Sequence, residues 1–167
     1  MGIIIRFIQR LINLFTSARF VVEGDSMLPA LVDGQSVVAA RSKRSWNRLV
    51  RGDIVVFRHL EFPDRVFIKR IVGFPDEQVR VESGAVYIDD VLLEEPYLNG
   101  QNGVGQNLNR TWWDGPGELF LVGDNRQESQ DSRTFGPVDG GLILGRVWLR
   151  CWPLSAWTME PGREGRK

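Results

Sequence analysis

Three stretches of this 167-residue chain carry hydroxyl, amine and charged groups at spacings that could do chemistry. The first is Gly24-Asp25-Ser26-Met27-Leu28-Pro29-Ala30-Leu31. Gly24 permits backbone angles closed to other residues, while Pro29 fixes its own φ and keeps Leu28 out of helix, so Ser26 sits on a stiffened turn. On its own this is a strand-to-turn linker with an incidental hydroxyl. The second is Val66-Phe67-Ile68-Lys69-Arg70-Ile71-Val72. Strand alternation puts Phe67, Lys69 and Ile71 on one face and Ile68, Arg70 and Val72 on the other. If the first face is buried, Lys69 loses solvation and its pKa falls. A neutral lysine amine can act as general base for a serine hydroxyl, a role closed to an arginine that never deprotonates. The competing reading is an edge-strand lysine whose ammonium reaches water. The third stretch, Gly123 to Val138, is a polar loop with Asp-Asn-Arg and Asp-Ser-Arg groupings. Polar groups packed that densely form networks that hold other groups in place.

Composition narrows the field. The 21 Lys+Arg balance 21 Asp+Glu, so no global field argues for nucleic acid. A single cysteine, Cys151, excludes an internal disulfide, and a single histidine, His59, argues against a zinc site. Neither a metal nor another cofactor is expected. His59 alone could serve a Ser-His-Asp triad, but it lies in a polar connection near Pro63 and is expected to be dispensable.

The elements that must position these groups read as mainly β. Strands are expected at Val37–Ala40, Ile54–Phe57, Val66–Val72, Val79–Val81, Val86–Ile88, Val91–Leu93 and Glu118–Val122, with another inside Gly141–Leu149. Ser83-Gly84 marks a hairpin, and Asn99 to Asn109 reads as a mobile surface loop. Its glycines lack the strand-to-helix context of a phosphate cradle. Residues 3 to 15 are apolar with a stripe at Arg6, Arg10, Asn13 and Ser17, which is helical spacing. The run falls short of the ~20 residues that span a bilayer, so it predicts a helix lying in a membrane interface. Residues 160 to 167 read as a frayed charged tail.

Four blocks, Gly24 to Pro29, Gly52-Asp53-Ile54-Val55-Val56-Phe57, Ile68 to Gly73 and Gly123 to Val138, resemble in order the motifs of type I signal peptidases. Tyr87-Ile88, Glu95-Pro96-Tyr97-Leu98 and Arg150-Cys151-Trp152-Pro153-Leu154 are similar to further segments of that family. The resemblance implies an antiparallel β fold with a short inserted lobe at about 76–117. Residues 1–19 would be a membrane-associating segment, 20–155 the protease domain and 156–167 a tail. It implies Ser26 as nucleophile and Lys69 as its base. Ser129 would orient the amine, and Asp131 with Arg133 would brace the site. Val22, Met27, Leu31 and Ile68 would line shallow pockets for small side chains. The expected activity is removal of signal peptides from exported preproteins after small residues, at a membrane surface, with the active site on the extracytoplasmic or lumenal face. A propeptide-maturation protease of the same clan is the alternative. A self-cleaving repressor and an inactive binding module are weaker readings, the first because 20 residues cannot supply a DNA-binding segment. Gly24 stands where many members have a serine that supplies an oxyanion hydroxyl, and Ala30 where threonine is usual.

Overall fold

The computed structural model describes residues 17–41, 49–98, 108–152, 158–159 and 161. Among the described residues twelve strands form two antiparallel sheets. The larger contains β1 (Ser17–Val21), β2 (Ser36–Ala40), β3 (Ile54–Arg58), β4 (Val66–Gly73), β9 (Glu118–Val122), β10 (Val138–Asp139), β11 (Ile143–Trp152) and β12 (Thr158–Met159). Its order is β1-β2-β11-β3-β4-β9-β10, with β12 also pairing β11. The smaller sheet runs β7-β6-β5-β8, from β5 (Gln78–Glu82), β6 (Ala85–Ile88), β7 (Val91–Leu92) and β8 (Arg110–Trp113). One helical turn, α1 (Ser132–Phe135), follows β9.

The apolar runs read from the sequence are these strands because their side chains fill three packed clusters. Val37, Ala39, Ile54 and Val56 meet Val22, Met27 and Leu31 in the first. Val55, Phe57, Ile71 and Leu121 meet in the second, with Phe67 against them. The third joins the sheets, with Val72, Phe120 and Val122 against Val79, Val81, Val86 and Trp112. Phe67 and Ile71 thus share one cluster while Ile68 packs in another, as alternation along β4 requires.

Two boundaries are corrected. Ser17–Arg19 pair with Val38–Ala40 in the large sheet, so they do not belong to an N-terminal segment. Thr158 and Met159 pair with Arg150 and Leu149, so the sheet continues past 155 into the expected tail. The amphipathic helix expected at 3–15, the loop residues 99–107 and the end of the tail lie outside the described residues. Among the described residues no helix is long and apolar enough to cross a membrane.

Candidate active site

Ser26 lies on the connection between β1 and β2, which is tied at its base. Val22 N–H donates to Gln35 O at 2.8 Å and Gly34 N–H to Val22 O at 2.9 Å. Gly24 has a φ of 76° and donates its N–H to Asp33 Oδ1 at 2.7 Å, which turns the chain into the Ser26 segment. The Ser26 carbonyl accepts from Asn125 N–H at 3.0 Å, so the third polar stretch holds the first. Lys69 comes from β4, opposite Val55 of β3. Its Nζ stands 2.7 Å from Ser26 Oγ.

Lys69 is buried, and burial pushes its ammonium down from 10.5 to about 8. The Asp131 and Asp124 carboxylates oppose that shift, and the Arg133 guanidinium adds to it. Desolvation wins because each carboxylate has an arginine of its own. Arg133 grips Asp131 through Nε and Nη2, both at 2.8 Å. Arg70, fully buried on the other face of β4, grips Asp124 at 2.7 and 2.5 Å and donates to Gly52 O at 2.7 Å. Such bidentate pairs satisfy the carboxylates without recourse to the amine.

Asp131 also caps α1 by accepting from Arg133 N–H and holds β9 by accepting from Gly123 N–H at 3.0 Å. Ser132 Oγ accepts from Leu121 N–H at 2.9 Å. The loop is therefore fastened to β9 through main-chain donors. Ser129 is brought to the same place, but its buried Oγ has no hydrogen-bond partner among the described residues, and the lysine amine is bonded to Ser26 instead.

A cleft of about 720 Å³ opens beside the pair, lined by Ser26, Lys69, Val22, Met27 and Ile68 among others. Leu31 is corrected: its N–H donates to Met27 O, and that turn sends it fully into the first core cluster, outside the cleft lining. The rim adds residues the sequence reading did not select, including Val21, Val66 and the charged Glu23, Arg65 and Glu128. Among the described residues the cleft is bordered by unfilled strand edges. β1 ends the sheet, and β9 pairs β4 only over Arg70–Gly73, leaving one side of Val66–Lys69 unpaired within the sheet. Arg70 and Asp124 were also missed as site residues. Their signal was a charge inside an apolar strand, which demands a buried partner.

His59 lies in the connection between β3 and β4, as expected, but its ring does not face solvent. It is buried, with its ring packed on Phe62, Phe67 and Phe135 and its Nδ1 accepting from Glu61 N–H. No group of three or more potential metal ligands occurs among the described residues.

A serine hydroxyl, a desolvated amine within a hydrogen bond and a cleft edged by free strands can together attack a carbonyl in an extended peptide. A family model described as signal peptidase, peptidase S26, matches residues 1–152. The chain is 30% identical over 161 residues to signal peptidase I of Bacillus caldolyticus, covering 89% of this chain and 87% of that one. It is 30% identical over 172 residues to signal peptidase IB of Staphylococcus aureus strain MRSA252, covering 94% and 89%. The crystal structure of a signal peptidase I from Enterococcus faecalis superposes with a TM-score of 0.52 at 30% identity, over 59% of this chain and 96% of that one.

Proposed function

The chain belongs to the signal peptidase family S26, and from that premise we propose that it is a serine endopeptidase that removes signal peptides by a Ser26–Lys69 dyad. The single observation that carries the assignment of the dyad is the 2.7 Å approach of a buried lysine amine to Ser26 Oγ at the floor of the cleft.

In this mechanism the substrate lies extended against the unpaired side of Val66–Lys69. Ser26 Oγ attacks the scissile carbonyl carbon while Lys69 Nζ takes the hydroxyl proton. The oxyanion is held by the Ser26 backbone N–H. The lysine ammonium then protonates the leaving amine, the C–N bond breaks, and an ester to Ser26 remains. Water, deprotonated by the same amine, hydrolyses that ester and restores Ser26. Asp131 and Arg133 fix the loop behind the pair. Val22, Met27 and Ile68 form the wall for the residues before the cut. Apolar walls discriminate by about 1–3 kcal/mol per methylene or two, so the preference for small side chains is graded.

Residues 1–16, with Arg6 and Arg10 among apolar neighbours, anchor the enzyme to a lipid surface, and the dyad works on the extracytoplasmic or lumenal face. The test is incubation of the full chain with a panel of preprotein peptides, read by mass spectrometry. Cuts after small residues that vanish in Ser26→Ala are expected. Equal cutting after alanine and phenylalanine would refute the pocket assignment.

A further inference from the structure

Glu95-Pro96-Tyr97-Leu98, singled out in the sequence, has no part in the mechanism above. It leaves the small sheet and enters a 3-10 turn over Pro96–Leu98, yet its side chains reach the large sheet. The Arg70 guanidinium lies over the Tyr97 ring, 3.9 Å from its centroid. Tyr97 Oη donates to Glu95 Oε1 at 2.5 Å, and Arg126 donates to the same oxygen. Arg126 in turn donates through Nε to Gly123 O at 3.0 Å. Glu95 and Tyr97 therefore contact both supports of the dyad. One is Arg70, the residue after Lys69. The other is the turn from Gly123 to Asn125 that holds the Ser26 carbonyl. Glu95, Arg70, Asp124 and Arg126 are each at most 4% exposed, so this is a dry network and its charges act strongly on one another. Burial, followed by the Glu95 charge, pushes the Tyr97 hydroxyl above its ordinary range, which keeps it a neutral donor.

We propose that Glu95 and Tyr97 are positioning residues for the dyad, fixing where Lys69 stands and how far the Asp124 charge is compensated. The flat ring confines the guanidinium to one plane, where it meets Asp124 through two hydrogen bonds. A guanidinium free to tilt loses that match, and the Asp124 carboxylate is left to act on Lys69. The groups facing Lys69 are Ser26, Asp131, Asp124 and Arg133, and of these Asp124 is the one whose partner the small lobe controls. The inserted lobe is thus part of the catalytic apparatus, although none of its described residues lines the cleft.

The inference rests on the Ser26–Lys69 reading, and the experiment separates the two. kcat and KM are measured against pH for the full chain on a synthetic peptide with alanine at the first and third positions before the bond. The variants are Tyr97→Met, Tyr97→Phe, Glu95→Gln and Ser26→Ala. Tyr97→Met keeps the bulk without the flat face. It should lose about tenfold or more in kcat at neutral pH, hold KM within about twofold and move the pH midpoint upward. Tyr97→Phe keeps the ring and should restore both kcat and midpoint. A folded Tyr97→Met enzyme with native kcat and midpoint overturns the proposal. Should that variant not fold, Glu95→Gln decides: a loss of about fivefold or more in kcat supports the clamp, and a native kcat overturns it. Activity retained in Ser26→Ala would overturn the dyad itself, whereas a dead Ser26→Ala beside a native Tyr97→Met overturns only the clamp.

Discussion

Gly123 and Ser129 approach so closely that a Cβ at position 123 would lie 2.1 Å from Ser129 Oγ, and 2.6 Å from the Ser26 carbonyl oxygen. The absence of one methyl group lets the loop after β9 close over the nucleophile's backbone. Gly123→Ala is expected to displace Ser26 and Ser129 together and to lower kcat/KM by about a hundredfold, the scale for misplacement of reacting groups by an ångström. A peptide cleavage assay on the folded variant checks this, and native activity would mean that the contact positions nothing.

The dyad predicts a rising pH profile. The Lys69 amine, held near 8, becomes a competent base as pH climbs through that value, so kcat/KM should rise with a midpoint near 8 and not near 10.5. Lys69→Arg and Lys69→His should both be nearly inactive, the first for lack of a neutral form and the second for lack of reach. A profile unchanged in Lys69→Ala, with substantial activity left, would refute the base.

The same shift has a stability consequence. The unfolded chain holds the Lys69 proton more tightly than the folded one, so the folded state bears the full cost below pH 8 and sheds it between 8 and 10.5. The fall from 10.5 to about 8 corresponds to about 3 kcal/mol. Lys69→Met should therefore be more stable than the parent by up to that amount at pH 7, and the gain should fade above 8. Denaturant titrations at pH 7 and 10 measure it. A constant difference across that range would contradict the sign.

Ser129 can be tested by the same separation of stability from activity. Its buried hydroxyl lacks a partner among the described residues, an arrangement that costs about 1–3 kcal/mol. Ser129→Ala should leave stability unchanged or raised while lowering kcat/KM by about tenfold or more, if the hydroxyl meets the lysine amine during turnover. Loss of stability without loss of activity would assign Ser129 to the fold alone.

Asp114 offers a prediction away from the cleft. Burial, then Glu77 and Glu118, push its carboxyl from 3.8 up to about 7, against the opposing pull of Arg51 and of the Phe120 backbone N–H. A carboxyl raised in this way contributes stability that is fully present below 3.8 and lost as pH climbs through 7. Asp114→Asn should gain stability over the parent at pH 8 and show little of that gain at pH 4. Equal differences at the two pH values would rule this out.

Much of the site was legible because its signals are local. Lys69 stands between Phe67 and Ile71, and Ser26 follows Gly24 and precedes Pro29, so period and turn chemistry placed each on its element, while their pairing was read only from the resemblance of the four blocks. Leu31 was assigned to the cleft wall because sequence position does not report which way one turn sends a side chain. The Arg70–Asp124 pair bridges 54 positions, and no periodicity connects its ends. β1 and β8 escaped notice for a related reason. Neither Ser17–Val21 nor Arg110–Trp113 alternates clearly, and each becomes a strand through its partner, β2 or β5. His59 was read from its polar neighbours, whereas three phenylalanines enclose it.

The order of the large sheet also governs when the enzyme can exist. The strands that carry Ser26, β1 and β2, and those that carry Lys69, β3 and β4, touch within the sheet only through β11. That strand follows both hairpins in the chain. A nascent chain lacking Ile143–Trp152 holds a nucleophile hairpin and a base hairpin with no ladder between them. Long-range pairing of this kind closes late in folding. A chain cut before Ile143 therefore lacks the ladder that sets nucleophile beside base.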